Sequence, residues 1–174
     1  DACMRKYHVT GLMEYGWLCL PLELKIFRLG RLQFEPTEAK EDIDVNGRTV
    51  KVGTKVLEVH IPEGRPLNDA ECEESFRKAD EFFGGEYEAY ICTSWLVAPE
   101  IKKIVSPESN IAKFQDRFEV YEVIYPFRQA EERVFGEILE DRTLYKEQTS
   151  FQRALKKYVA DGKDPGMGRG IIYR

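Results

Sequence analysis

The chain has 174 residues, a length typical of one compact domain with at most a short appendage. Its net charge of -5, with 33% charged and 43% hydrophobic residues, predicts a soluble globular protein and argues against a general attraction to nucleic acid. No apolar run approaches the roughly 20 residues of a membrane-spanning helix, and the opening DACMRKYH carries no secretory pattern. Because this opening lacks an initiator Met, we expect a fragment or a processed product.

Cysteine and histidine are sparse and scattered, which bears on metal binding and on the cellular compartment. The four cysteines form no CxxC pair: Cys3, Cys19, Cys72 and Cys92. Thiols spread in this way are typical of reduced, cytoplasmic proteins. The two histidines are His8 and His60, and the usual ligand spacings are missing, so no metal site is predicted.

The first part of the chain predicts a helical start followed by strands. Apolar residues from Trp17 to Phe27 form a broad face, and Pro21 fits the first turn of a second helix, where its missing N–H costs little. The alternation in RLGRLQFEP indicates a strand. Asn46-Gly47, between two alternating runs, predicts a two-residue β-hairpin.

The segment from Val56 to Pro62 predicts a further strand, and strand geometry sends alternate side chains to opposite faces. One face is apolar and carries Leu57, Val59 and Ile61. Glu58 and His60 share the other face with Val56, so two groups able to exchange protons are expected side by side.

The segment from Asp69 to Phe83 predicts a helix with a buried apolar stripe. Asn68 is a good N-cap, and Glu71, three residues later, can complete a capping box. Leu67 before the cap and Cys72 after it can form a hydrophobic staple. These local signals explain the start of the helix without any ligand.

The second half of the chain predicts alternating helices and strands after Gly84-Gly85 end the helix. Pro99 opens a short helix that Pro107 ends, and Asn110 is expected to cap the next one. Three segments predict strands: YEAYICTSWLV, FEVYEVIYPF and ERVFGEIL. TSFQRALKKYVADG predicts a helix, and the Gly-rich tail KDPGMGRGIIYR ends in a short apolar stub. The order predicts a mixed α/β fold with an antiparallel component.

Several segments resemble, in the same order, the GNAT-like C-terminal domain of a family of bacterial acyltransferases. They are EVHIPEGRPL, ECEESFRKADEFF, ICTSWLVAPEI, SNIAKFQDRFEV and TSFQRALKKYVADG. The resemblance covers roughly Ile26 to Tyr173, and FRLGRLQFE resembles the junction with a helical N-terminal domain in that family. It divides the chain into a helical remnant, residues 1–26, and a GNAT-like acyltransferase domain, residues 27–174.

The resemblance implies a GNAT-like α/β (α+β) fold, in which a mixed, mainly antiparallel sheet is flanked by helices. It also implies that the sheet is split between two strands and that acetyl-CoA or a longer acyl-CoA lies in the gap. VLEVHIPEG would be the strand along the pantetheine, AYICTSW the strand that splays from it, and the helix from Asp69 the one that meets the pyrophosphate. The cofactor-binding candidates are then Ile61, Gly64 and Arg65.

Transfer of an acyl group to an amine requires a base for the amine, a donor to the carbonyl oxygen and a proton for the leaving thiolate. Glu58 and His60 are the candidate bases, acting directly or through a water, since histidine exchanges protons near neutral pH. Cys92 and Ser94 share a face of the next strand and are the candidate donors. The alternative for His60 is a hydrogen bond within the sheet, and for Cys92 and Ser94 it is simple packing.

The predicted function is a cytoplasmic acyltransferase that moves an acyl group from acyl-CoA to an amine or hydroxyl of a small molecule by direct attack. No metal, nucleic acid or membrane partner is predicted. EGRPLNDAEC departs from the usual Gly-rich phosphate loop, with a single Gly64 and an acidic helix start. This departure favours an alternative, a GNAT-derived module that has lost CoA binding and recognises a ligand or partner. A third reading is a structural domain that partners the missing helical region.

Overall fold

Residues 15–174 are described by the computed structural model, and Cys3 and His8 lie outside this range. The helices are α1 (Tyr15–Leu22), α2 (Asp69–Phe83), α3 (Pro99–Ile104), α4 (Asn110–Gln115), α5 (Gln129–Phe135) and α6 (Ser150–Ala160). The strands are β1 (Phe27–Leu29), β2 (Leu32–Glu38), β3 (Ile43–Val45), β4 (Arg48–Val50), β5 (Lys55–His60), β6 (Ala89–Ser94), β7 (Glu119–Ile124) and β8 (Met167–Tyr173).

Six strands form one mixed sheet in the order β1-β2-β5-β6-β8-β7. The β5–β6 pair is parallel and the other pairs of this sheet are antiparallel. β3 and β4 form a separate hairpin with Val45 opposite Arg48, which confirms the turn predicted at Asn46-Gly47. The mixed, mostly antiparallel sheet flanked by helices is therefore the architecture that the resemblance implies.

Each face of the sheet is covered by a different part of the chain. α2 packs on one face, where Phe76 and Ala79 join Leu57 and Val59 of β5 in the main core cluster. The β3–β4 hairpin covers the other face and packs its apolar side chains against Val56 and its neighbours. Residues of α3, α5 and α6 form a third cluster around the buried Tyr145. In residues 15–174 no helix is both long and apolar enough to cross a membrane.

The helix after β5 begins and ends where its sequence signals place it. The Oδ1 of Asn68 accepts a hydrogen bond from the N–H of Glu71 at 3.2 Å, and Gly84 ends α2 with a φ of 63°. Leu67 and Cys72 are both buried in the core cluster, as the staple requires. The side chain of Glu71 contacts Arg65 at 3.4 Å instead of completing a capping box.

Three predictions about elements are wrong, and the tail forms an element that the sequence did not predict. ERVFGEIL is not a strand: its first four residues complete helix α5, where Ala130 and Val134, four residues apart, pack together in the Tyr145 cluster. The tail is strand β8, which lies between β6 and β7. Ser109, and not Asn110, caps α4 by accepting a hydrogen bond from the N–H of Ala112. Pro21 lies inside α1 and does not open a second helix.

Gly168 allows β8 to lie between β6 and β7. A Cβ at this position would stand 2.6 Å from the backbone of Val97, which cannot move aside as a flexible side chain would. We expect Gly168→Ala to lower the free energy of unfolding by about 1–3 kcal/mol, the usual cost of overpacking. Urea denaturation of the variant measures this difference. Gly85→Ala is the matched control, because its φ is -86° and its Cβ would meet no atom within 4 Å. Equal losses in the two variants would contradict the role of Gly168.

Candidate active site

A gap opens between the two parallel strands at the centre of the sheet. The β5–β6 register pairs Val56 with Ala89 and ends where Glu58 meets Ile91. β5 runs on for two residues beyond this pair and β6 for three. The strands part at the edge where the chain enters the turn to α2, and this is the split that the resemblance predicts.

Three proton-exchanging side chains lie together on β5, which borders this gap, and on the neighbouring strand β2. In the β2–β5 pair Glu35 stands opposite Glu58, and the Oε2 of Glu35 lies 3.0 Å from the Nε2 of His60. The side chains of His60 and Glu35 are 21% and 26% exposed, so solvent reaches them only partly. Like charges directly opposite each other destabilise a strand pair. Two facing carboxylates beside an imidazole are therefore a candidate for proton-transfer chemistry.

The same three side chains are close enough to share a cation. One ligand atom from each of Glu35, Glu58 and His60 falls within 4.8 Å of the others. Imidazole and carboxylate groups are common zinc ligands. The trio is therefore also a candidate metal site, which the sparse histidines of the sequence did not predict.

Helix α1 contributes an aromatic side chain to the site. The ring of Trp17 meets the ring of His60 edge-on, with centroids 4.7 Å apart and planes at 77°. α1 buries none of its own residues, and Leu22 is 84% exposed. Trp17 is thus a partly exposed wall of the site, next to the proposed base.

Cys92 and Ser94 do not face His60. Side chains alternate along β6, and Ile91 shares its face with Glu58 while Cys92 lies in the core cluster with α2. Burial raises the pKa of the Cys92 thiol, which keeps it protonated. The Oγ of Ser94 is buried and accepts a hydrogen bond from the N–H of Leu96. By the same alternation Thr93, which is partly buried, follows Ile91 on the face of Glu58.

The turn from β5 to α2 is held in place by a buried arginine. Arg31, 5% exposed, donates from Nη1 to the carbonyl oxygen of Pro62 at 2.9 Å, from Nη2 to that of Arg65 at 2.7 Å, and from Nε to that of Pro66 at 3.2 Å. Gly64 has a φ of 115°, and a Cβ there would meet no atom within 4 Å. The candidate residue Ile61 packs partly against the core. The turn thus has an anchored side and an open side.

Arginines neutralise the acidic start of α2. Arg117 contacts both Asp69 and Glu73, while Arg65 lies 3.4 Å from Glu71. Arg77 pairs with Glu74 at 2.6 Å and holds the pKa of that carboxyl at about 2. Each of these carboxylates has a cation beside it, so their repulsion of a phosphate is much weaker than the sequence alone suggests.

A sheet split at a parallel pair, with a helix starting beside the gap, is the arrangement that defines a GNAT-type domain. The family model described as the GNAT-like C-terminal domain matches residues 26–172, and the chain therefore belongs to this family. A search of curated proteins found no match.

Solved structures of acyltransferases share the fold. An acyltransferase in complex with decanoyl-CoA is 26% identical, with a TM-score of 0.80, and the match covers 98% of this chain and 52% of that one. An acyltransferase in complex with decanoyl-CoA and teicoplanin is 24% identical, with a TM-score of 0.81 and coverage of 98% and 53%. A mutant acyltransferase in complex with octanoyl-CoA is 23% identical, with the same TM-score and coverage. The chain spans about half the length of these structures.

The structure thus brings together some of the predicted site residues and separates others. Glu58 and His60 lie side by side, and Gly64 and Arg65 lie in the turn that follows them. Sequence reasoning missed Glu35, Trp17 and Arg31. A partial signal was present for Glu35, because it is a carboxylate within the alternating run RLGRLQFEP, which predicts a strand.

Proposed function

We propose that this chain is the acyl-CoA-binding half of an N-acyltransferase, in which an amine attacks the thioester directly. The observation that supports it most is the gap between β5 and β6, with His60 and Glu58 on the strand that borders it and Glu35 next to them on β2. A thioester in this gap would lie beside a group able to accept a proton, as direct transfer requires.

We propose His60 as the general base. The nucleophile is the neutral amine. The imidazole of His60 takes one proton from its nitrogen as that nitrogen forms a bond to the acyl carbon. The C–S bond then breaks, and the proton passes from the imidazolium to the departing CoA thiolate, directly or through a water. Glu35 holds the ring through Nε2, and the charge of Glu58 stabilises the imidazolium. Glu58 is the alternative base, two residues away on the same strand.

For the proton donors, the geometry favours Thr93 over Cys92 and Ser94. The hydroxyl of Thr93 lies on the face that carries Glu58, whereas the Cys92 thiol is buried on the other side and Ser94 caps a turn.

For the ligand, we propose that the N–H groups around Gly64 and the side chain of Arg65 meet the CoA phosphates, since Arg65 is 66% exposed and able to leave Glu71.

For the acceptor, we propose a small molecule that presents a primary amine, with a glycopeptide amine as the first to test. One structure with the same fold is an acyltransferase in complex with teicoplanin, and others contain decanoyl-CoA or octanoyl-CoA.

We also propose that the reaction takes place in the cytoplasm, because Cys19, Cys72 and Cys92 are free thiols. The residues before 27 are proposed to belong to a preceding helical domain, since the family match begins at residue 26.

Binding of acyl-CoA tests this proposal, and we expect it to raise the thermal unfolding midpoint. A ligand at about a hundred times its dissociation constant adds roughly 2.7 kcal/mol to stability. Arg65→Ala is expected to reduce the shift sharply, and Arg153→Ala, an arginine on α6, is the matched control. No shift with acetyl-CoA, octanoyl-CoA or decanoyl-CoA would contradict the acyltransferase and favour the module that has lost CoA binding.

A further inference from the structure

The turn between β5 and α2 lies between a buried cation on one side and the sheet gap on the other. Arg31 occupies the tight turn between β1 and β2, and β2 lies next to β5 on the side away from β6. Its guanidinium contacts three carbonyl oxygens of residues 62–66, at 2.9, 2.7 and 3.2 Å. The guanidinium is desolvated where it makes these contacts, and this burial lowers the pKa of Arg31.

Arg31 is itself anchored to helix α2 through Ser75. The Oγ of Ser75 accepts hydrogen bonds from the N–H of Arg31 at 2.9 Å and from that of Leu32 at 3.3 Å, and it donates to the carbonyl of Glu71 at 2.7 Å. Gly30 permits this contact, because a Cβ there would stand 2.9 Å from the same oxygen. The β1–β2 turn thus joins the first turns of α2 to the segment that leads into the helix.

The direction of these hydrogen bonds sets the direction of the backbone. In a trans peptide the C=O and the following N–H point to opposite sides. Because the carbonyls of Pro62 and Pro66 point toward Arg31, on the β2 side, the N–H groups of Glu63 and Leu67 point away from it. Arg31 thus fixes these peptide planes through their carbonyl oxygens, and their N–H groups lie on the side away from its guanidinium, where backbone donors can meet an anion.

We propose that Arg31 is a positioning residue that orients the backbone donors of residues 62–67 toward the pyrophosphate of acyl-CoA. This inference rests on the proposed function. It explains how a segment with a single Gly64 can replace a Gly-rich phosphate loop: the orientation that glycines permit in other loops is imposed here by a guanidinium bound to three carbonyls. Arg31 does not touch the ligand.

A lysine has one compact ammonium in place of the planar fork and cannot hold three carbonyls in one plane. We expect Arg31→Lys to weaken binding of octanoyl-CoA by about tenfold, the equivalent of one lost hydrogen bond to a charged group. Binding of octanoyl-pantetheine, which lacks the pyrophosphate, is expected to be unchanged. Isothermal titration calorimetry measures the affinity of each protein for both ligands. Arg28→Lys is the matched control, an arginine of the same hairpin whose Nε donates to the carbonyl of Gly30 at 3.4 Å.

Each result separates the inference from the function on which it rests. Absence of octanoyl-CoA binding in the unmodified protein would contradict the proposed function itself. Equal affinity of the unmodified protein and Arg31→Lys for octanoyl-CoA would overturn the role of Arg31 alone. Equal weakening for both ligands would show a merely structural role and would overturn it too. If Arg31→Lys does not fold, hydrogen exchange of the unmodified protein decides: the amides of residues 63–65 and 67 must gain protection with octanoyl-CoA and not with octanoyl-pantetheine.

Discussion

His60→Gln is expected to lower kcat for acyl transfer to an amine by about 100-fold or more, with little change in the KM for acyl-CoA. The substitution keeps a side chain of similar length but removes the group that accepts the amine proton, and a positioned base contributes about 10²–10⁴-fold. Release of the CoA thiol in the presence of the amine acceptor measures kcat.

Neighbouring variants separate the base from the groups around it. Glu35→Gln removes the charge that holds His60 and should reduce kcat by about tenfold, less than loss of the base itself. Glu38→Gln, further along β2 and exposed, is the matched control and should leave kcat unchanged. If Glu58→Gln is the more damaging variant and His60→Gln is nearly normal, Glu58 is the base.

The metal alternative is tested in the same assay. If His60 acts as a base, a chelator leaves kcat unchanged. If the trio of Glu35, Glu58 and His60 holds an essential ion, the chelator abolishes activity and added zinc restores it, which would contradict the proposed mechanism.

The elements around the site could be predicted from the sequence because their signals are local. Asn68 caps α2 within three residues of the N–H it serves, and Asn46-Gly47 imposes a turn between adjacent strands. The placement of Glu58 and His60 on one face of β5 follows from alternation alone. The family resemblance supplied the split of the sheet, which periodicity does not contain.

The rest depended on contacts between distant segments. Glu35 contacts His60 from another strand, and Arg31 contacts the turn after β5 across 31 to 35 positions of the chain, so neither contact has a local signal. Strand β8 was hidden because its glycines lower strand propensity, although the close approach to Val97 requires Gly168. Cys92 was selected as a proton donor by its residue type. Its position in the alternation of β6 places its side chain on the face that packs in the core.

A second large effect is expected far from the site, at the buried carboxylate of Glu131 on α5. Glu131 is fully buried and receives hydrogen bonds from Arg128 at 2.8 and 2.7 Å and from the hydroxyl of Tyr145 at 2.8 Å, with Arg142 at 3.3 Å. We expect Glu131→Ala to lower the free energy of unfolding at pH 7 by about 3–5 kcal/mol, because it removes a fully buried carboxylate and leaves two partly buried arginines without their partner.

The pH dependence of this loss follows from the pKa of Glu131. Burial by itself would raise that pKa, but the hydrogen bonds from Arg128 and Tyr145 and the charge of Arg142 outweigh it, so the pKa lies below its ordinary value. A carboxyl with a lowered folded pKa contributes stability above its unfolded pKa, about 4.3, and loses it as the pH falls through the folded value. The difference between the unmodified protein and Glu131→Ala should therefore be constant above about pH 5 and shrink below it.

Urea denaturation at a series of pH values measures this difference directly. Glu137→Ala, which removes an exposed carboxylate six positions along the chain, is the matched control and should stay within about 0.5 kcal/mol at every pH. Glu131→Gln keeps an acceptor for Tyr145 and should lose less than Glu131→Ala. If the ionised form of Glu131 stabilises the fold, the difference in unfolding free energy between the two proteins must shrink as the pH falls. A difference that grows as the pH falls would contradict the role of the charge.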